Sequence, residues 1–207
     1  MGLKEVLALV IAYLLGSIPF AYIIARISKG IDIRDAGTKN VGAMNTWREA
    51  GTAPGFTVLV LDIAKGSLAV VAAKALGVPL FFVMSSGIAA VCGHNWPVFL
   101  GFKGGRGAAT SLGVIFAILP EQFGVSILVV ATVFLFTWNT SLAIGIGFIV
   151  LMAVLWATDK ELAYILYPSA LAALGVLRNF GDFKHELAKQ HSLKKVVFRR
   201  LPFPNRR

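Results

Sequence analysis

The 207-residue sequence predicts an all-α, polytopic membrane helix bundle with about seven transmembrane helices. Hydrophobic residues make up 57% of the chain and charged residues only 14%, well below the roughly 25% usual for soluble domains. The mean hydropathy is +0.77, and apolar segments follow one another along most of the chain. A soluble domain of this size could not bury so much apolar surface, so the composition argues against a cytosolic enzyme and a disordered chain.

Seven apolar segments can be delimited by the glycine, proline and charged residues between them. They cover residues 3–27, 52–76, 78–92, 108–119, 123–138, 141–157 and 162–177. A straight crossing needs about 20 residues, and the fourth, fifth and sixth segments are shorter. Five crossings, with two segments forming one re-entrant element, is therefore the alternative to seven. Pro19 lies inside the first segment and is expected to kink it.

The lysine and arginine residues predict the orientation of the chain in the membrane. With seven crossings, sixteen of the 20 basic residues fall on one side, in residues 26–48, around Gly101 and in the tail from Arg178. The N-terminus is then expected outside and the C-terminus in the cytoplasm. We expect a single integral-membrane domain over 1–207, whose basic tail from about 178 meets anionic lipids. Nucleic acid is not an expected partner, because the basic residues flank apolar segments rather than cover a soluble face.

Two of the basic segments, residues 32–48 and 93–110, are also rich in glycine and asparagine. In the second, the run Lys103-Gly-Gly-Arg-Gly107 stands directly before the fourth apolar segment. Glycine allows several backbone N–H groups to turn toward one point, and a helix that begins after such a turn offers an anion site. The two segments together predict phosphate binding on one face of the membrane. The Gly-Lys-Ser/Thr ending of a nucleotide-binding P-loop is missing.

The second segment resembles a signature of the PlsY family, bacterial membrane acyltransferases that use acyl phosphate to acylate glycerol 3-phosphate. The matching residues are Gly93, His94, Pro97, Val98, Phe99, Leu100, Phe102, Lys103, Gly104, Gly105, Gly107, Ala109 and Thr110. The first segment is similar to the family signature Ser-Gly-Asn-x-Gly-Ala-Thr-Asn-x-x-Arg at Asn40, Gly42, Ala43, Asn45 and Arg48. The patterns Gly16-Ser17-Ile18-Pro19 and Asp62 with Lys65-Gly66 fit as well.

The chain departs from the family pattern in all three signatures. Thr38 replaces the family serine, Lys39 the glycine after it, Met44 the threonine, and Arg106 the lysine of Gly-Gly-Lys-Gly. The third signature, Arg-His-x-x-Asn-Ile, appears only as Arg178-Asn-Phe-Gly-Asp-Phe183, so that Asn179 replaces the histidine and Asp182 the asparagine. The resemblance thus implies a diverged member of the family. The alternatives are another acceptor, or a non-catalytic lipid-binding, phosphate-binding or transport protein.

The resemblance implies transfer of a fatty acyl group from acyl phosphate to the 1-hydroxyl of glycerol 3-phosphate, giving lysophosphatidic acid for phospholipid biosynthesis. It implies a monomeric, multi-pass protein of the bacterial plasma (inner) membrane, with membrane lipids as partners and with no cofactor or metal. The catalytic residues would be Thr38, Arg48, His94, Arg106 and Ser141. The substrate-binding residues would be Asn40, Asn45, Lys103, Gly104, Gly105, Gly107, Arg178, Asn179 and Asp182.

Several of these residues also have a purely structural interpretation. His94 stands at the end of an apolar segment, where it could only cap backbone carbonyls. Ser141 could be the N-cap of the sixth segment. Asp62 and Lys65 lie three residues apart within the second segment, where ionisable residues are costly and usually functional. We favour an inward-facing structural pair for these two residues.

Overall fold

The structure, a computed structural model, describes residues 1–189, except for the side chains of residues 140, 141 and 179–189. Within these residues the chain is helical and contains no strand, which confirms the predicted all-α class. The chain forms two compact units, Met1–Ile118 and a second that begins at Leu119, and each is described by itself. The predicted single domain over 1–207 stays a prediction, and the basic tail beyond Lys189 lies outside the described residues.

The described part of the first unit contains six α-helices and both of the basic segments. The helices are α1 (Leu3–Ser17), α2 (Phe20–Lys29), α3 (Ala43–Ala50), α4 (Thr52–Ala75), α5 (Leu80–Asn95) and α6 (Ala108–Ile118), with a short 3-10 helix at Val98–Leu100. The second unit contains α7 (Pro120–Thr137), α8 (Thr140–Ala157) and α9 (Leu162–Lys189).

The expected kink at Pro19 is a complete break between two helices. Helix α1 ends at Ser17 and α2 begins at Phe20. Ile18 adopts extended backbone angles, with φ −60° and ψ 118°. A proline disfavours the helical conformation for the residue before it, and it has no N–H to donate to the preceding turn. The first apolar segment therefore changes direction where Ile18 meets Pro19.

Glycine residues let the helices of the first unit approach one another closely. Helix α1 packs against α5, and α4 packs against α6. A Cβ on Gly66 would collide with the carbonyl of Thr110, and one on Gly113 would collide with the carbonyl of Ile63. Such contacts are typical of helices packed inside a membrane, where lipid supplies no hydrophobic drive for helices to associate.

Three apolar helical stretches within residues 1–189 are long enough to cross a membrane. They are Leu3–Lys29, which includes the break at Pro19, together with Thr52–Ala75 and Pro120–Thr137. Shorter apolar helices cover Ala108–Ile118, Leu142–Ala157 and Leu162–Arg178. The choice between seven and five crossings, and the orientation of the termini, stay predictions.

Two elements differ from the sequence prediction. Residues 28–51 were expected to form a loop, but helix α3 lies within them. Its eight residues are fewer than the roughly 11 over which a helical period can be recognised in a sequence. The last apolar segment was expected to end at residue 177, whereas α9 continues to Lys189. The prediction followed the apolar residues only, whereas the helix continues through the polar residues that come after them.

We expect Gly113→Ala to lower the free energy of unfolding by about 1–3 kcal/mol, because the added Cβ meets a backbone carbonyl that cannot move aside. Thermal unfolding in detergent micelles measures the change. Gly124→Ala in α7 is the matched control. A Cβ there meets nothing within 4 Å, so we expect a gain of up to about 1 kcal/mol from helix propensity. Equal shifts for the two variants would contradict the close packing of α4 and α6.

Candidate active site

Asn45 organises the first basic segment, and its side chain is only 2% exposed. Its Oδ1 accepts a hydrogen bond from the N–H of Thr38 at 3.0 Å. Its Nδ2 donates to the carbonyls of Ile33, Ala36 and Asn40 at 3.3, 3.1 and 3.0 Å. One amide from α3 therefore fixes the loop that precedes it. These hydrogen bonds all join Asn45 to the protein's own backbone, and its contact with substrate stays a prediction.

The backbone conformation of Lys39 explains why the family pattern has a glycine at this position. Its φ is +59°, in the left-handed region that glycine enters without strain and a lysine enters at a cost. The loop therefore keeps the backbone conformation that the family glycine suits, although this chain has a side chain there. Lys39 is exposed, so the added side chain reaches solvent without displacing the loop.

Arg48 stands in the last turn of α3 and is half-buried. Its Nε is buried and has no hydrogen-bond partner among the described residues. Burial lowers the pKa of the Arg48 guanidinium from its usual value, Glu49 opposes that change, and repulsion from Arg106 adds to it. Arg106 of the second basic segment is thus among the charges that act on Arg48. Two neighbouring cations create a positive potential that attracts an anion.

The second basic segment runs from the end of α5 to the start of α6. His94 is in the last turn of α5 and is 7% exposed. The chain turns back beyond it, so that the N–H of Gly105 donates to the His94 carbonyl at 3.1 Å. Gly107 follows with a φ of +77° and leads into α6. The run from Lys103 to Gly107 therefore ends at a helix N-terminus, where the first backbone N–H groups have no partner within the helix.

The two basic segments meet at Gly105. A Cβ at this position would collide with Nε2 of His94 and press against the carbonyl oxygen of Val41, a residue of the first segment. Only glycine fits between them, and its N–H is already bonded to the protein. In this structure that N–H is bonded to the His94 carbonyl, and the part of Gly105 in substrate binding stays a prediction. What the structure shows is that Gly105 brings the two segments together.

Two buried polar side chains lie beside this loop. Nothing in the sequence indicates that their polar groups would lack a hydrogen-bond partner among the described residues. Asn95 and Thr110 are both 0% exposed. The Asn95 amide and the Thr110 hydroxyl have no hydrogen-bond partner in the described part of the chain. The Asn95 Oδ1 lies against Gly107, where it would be 2.8 Å from a Cβ. Buried polar groups nearly always have a hydrogen-bond partner in native proteins. The groups of these two side chains that are unsatisfied within the described residues therefore distinguish the region at the start of α6 from an ordinary core.

The other predicted site residues of the first unit lie along the same loops. Thr38 and Lys103 are exposed, Asn40 and Arg106 are half-buried, and Gly104 is buried. A Cβ on Gly104 would collide with the His94 carbonyl, so this glycine too lies against the end of α5. The structure therefore brings residues of the first and second signatures together within one unit.

The remaining predicted residues belong to the second unit. Arg178 is half-buried on α9, and the side chains of Ser141, Asn179 and Asp182 lie outside the described residues. Their approach to the first unit stays a prediction. The interpretation of Ser141 as the N-cap of α8 is wrong. That cap is Asn139, whose Oδ1 accepts a hydrogen bond from the N–H of Leu142 at 3.1 Å.

We expect Thr110→Val to leave the protein as stable as before or up to about 1 kcal/mol more stable, because the substitution removes a buried hydroxyl that has no partner among the described residues. Thermal unfolding in detergent measures it. Thr46→Val is the matched control, since Thr46 is equally buried and its hydroxyl donates to the Gly42 carbonyl at 3.2 Å. That variant should lose about 1 kcal/mol. A loss of the same size in both would show that the Thr110 hydroxyl has a partner.

Comparisons with known proteins find related sequences over most of the chain. The family model described as glycerol-3-phosphate acyltransferase matches residues 6–189. A glycerol-3-phosphate acyltransferase 2 of Dehalococcoides mccartyi is 36% identical over 197 residues, covering 94% of each chain. One of Moorella thermoacetica is 40% identical over 188 residues, covering 90% of this chain and 96% of its own.

Solved structures extend the likeness from sequence to fold. The crystal structure of PlsY, an integral membrane glycerol 3-phosphate acyltransferase, in its glycerol 3-phosphate form superposes with a TM-score of 0.79 at 35% identity. The match covers 94% of this chain and 99% of that one. The lysophosphatidic acid form gives a TM-score of 0.77 at 36% identity. The chain is an integral membrane protein, and it belongs to the glycerol-3-phosphate acyltransferase family of which PlsY is a member.

Proposed function

We propose that this chain transfers a fatty acyl group from acyl phosphate to the 1-hydroxyl of glycerol 3-phosphate, giving lysophosphatidic acid and phosphate. The observation that carries the proposal is the meeting of two basic loops at Gly105, beside the start of α6. Both substrates carry phosphate, and the loops offer cationic side chains and a helix N-terminus to such a group. The relatives support the same activity by name. We place it in the bacterial plasma membrane as a monomer.

An acyl phosphate is a mixed anhydride whose leaving group is already activated, so the protein needs no covalent nucleophile. The oxygen of the acceptor hydroxyl forms a bond with the acyl carbon, and the bond between that carbon and the phosphate oxygen breaks. The hydroxyl proton passes to the substrate phosphate or to His94. The protein contributes by holding two anions in line and by stabilising the charge that develops on oxygen.

Arg48 and Arg106 are the residues best placed to hold the phosphates. They come from different signatures and lie near enough to repel each other, so an anion between them relieves that repulsion. The planar fork of Arg106, in place of the family lysine, favours bidentate binding. Lys103 is exposed on the same loop, and its positive charge attracts the anionic substrates toward the site. Thr38 and Asn40, on the opposite loop, orient the acceptor.

The third signature gives a specific reason to keep a second candidate. Asn179 and Asp182 stand where the family has histidine and asparagine, and Asp182 adds a negative charge to that signature. A related acyltransferase with a less negative acceptor is therefore the alternative to glycerol 3-phosphate.

Phosphate release by the purified protein tests the proposal. With acyl phosphate and glycerol 3-phosphate together, we expect phosphate and lysophosphatidic acid in equal amounts, above the hydrolysis seen without acceptor. Glycerol and dihydroxyacetone phosphate in place of glycerol 3-phosphate test for another acceptor. Absence of acceptor-dependent release with all three would refute the acyltransferase function.

We expect Arg48→Ala to lower kcat/KM by about 100-fold or more, because the phosphate loses a charged donor, while the melting temperature stays within a few degrees. Arg34→Lys is the control from the same segment. Its guanidinium already pairs with Asp32 at 2.7 Å, so its replacement should leave activity within about twofold. Activity of Arg48→Ala close to that of the unmodified protein would contradict the role given to Arg48.

A further inference from the structure

Helix α4 carries two ionisable side chains that the proposed mechanism does not use. Asp62 and Lys65 are 2% and 3% exposed, and they lie in the interior of a 24-residue apolar helix. Charged groups inside a membrane-spanning segment are costly and usually serve a function. The i, i+3 spacing puts both on one face of α4, with Nζ of Lys65 2.9 Å from Oδ1 of Asp62.

Lys65 connects this pair to the break between α1 and α2. Its ammonium donates a hydrogen bond to the carbonyl of Ile18 at 2.9 Å and lies 5.7 Å from the centroid of the Phe20 ring. At the break that carbonyl also accepts the N–H of Phe20 at 3.1 Å, in place of the i+4 bond of a continuous helix. Lys65 thus binds both an acidic partner and a fixed point of the backbone.

Asp62 connects the pair to the active-site loop through His94. The same Oδ1 that contacts Lys65 lies 3.5 Å from Nδ1 of His94. The opposite edge of that imidazole, at Nε2, faces Gly105, and the carbonyl of His94 accepts the N–H of Gly105. A carboxylate at Nδ1 fixes the tautomer and the ring orientation of a histidine. The loop therefore lies on one side of the imidazole and Asp62 on the other.

A small cavity of the first unit, with room for about one water molecule, adjoins the pair. Its lining includes Ser17, Pro19, Asp62, Lys65, His94 and Gly104. The ion pair, His94 and the glycine-rich loop therefore border the same small space.

We propose that Asp62 and Lys65 are positioning residues for the acyl transfer: Asp62 holds the His94 ring with Nε2 toward Gly105, and Lys65 neutralises Asp62 and anchors it to the helix break. This inference rests on the proposed function of the loop. Neither residue touches substrate in this scheme. They act through His94 on the geometry of the segment from Lys103 to Gly107.

Two double variants of equal charge separate positioning from simple stability. Lys65→Met alone leaves a buried carboxylate unpaired, which is strongly destabilising, whereas replacing both partners is often tolerated. Asp62→Val with Lys65→Met removes the ion pair and the acceptor for His94. Asp62→Asn with Lys65→Met also removes the charges but keeps a carbonyl oxygen for Nδ1–H. Melting temperatures in detergent establish that both fold.

We expect the valine variant to lose at least tenfold in kcat, with the KM for glycerol 3-phosphate within about threefold of the original. The asparagine variant should recover kcat to within about fivefold. Equal kcat in the two variants, whether both high or both low, would overturn the proposal, because they differ chiefly in the acceptor offered to His94.

Nitrogen-15 NMR of labelled histidine tests the positioning without reference to activity. The chain has three histidines, and a His94→Gln sample identifies the signal of His94. We expect His94 to carry its proton on Nδ1 in the unmodified protein and in the asparagine variant, and to lose that preference in the valine variant. A His94 signal that does not change in the valine variant would overturn the proposal. If the unmodified protein releases no phosphate, the proposed function fails, while this spectrum still decides the role of Asp62.

Discussion

The candidate active site depends on the close approach of three backbone segments at Gly105. The hydrogen bond from its N–H to the His94 carbonyl folds the second basic segment back onto the end of α5. The carbonyl of Val41 approaches the same Cα from the first segment. Because no side chain fits between them, both loops are placed relative to one rigid contact. The positions of the cationic side chains follow from this contact and from the helices on either side.

The surrounding bundle keeps that contact in place through a second set of close approaches. Gly66 and Gly113 allow α4 and α6 to pack backbone against backbone, and α6 begins at the loop itself. Asn45 fixes the other loop with hydrogen bonds from a single amide. Helix packing therefore holds one loop in place, and side-chain hydrogen bonds hold the other. The proposed substrate-binding groups are thus positioned before the substrates bind.

The sequence predicts the apolar helices well and the polar connections poorly. Helix α4 runs from Thr52 to Ala75, one residue short of the predicted end, because Gly51 and Gly77 flank a long apolar run. Helix α3 escaped prediction because its eight residues, half of them polar, are too few for an apolar period to stand out in the sequence. The convergence of the two basic segments was predictable from their shared charge and their signatures. The contact of Asp62 with His94 was not, since it joins residues 32 positions apart through the packing of α4 against α5.

The placement of Asp62 and Lys65 on the same helix has a consequence for how the chain enters the bilayer. Because the two charges lie one turn apart and contact each other, α4 can partition as a segment with no net charge in its middle, before α1 or α5 is beside it. Had the partners been on different helices, each would have had to cross the hydrocarbon as an isolated ion, at a cost of several kcal/mol. The helix therefore brings its own counter-ion, and assembly of the bundle needs only to add the carbonyl of Ile18 and the ring of His94 to a pair that is already neutral.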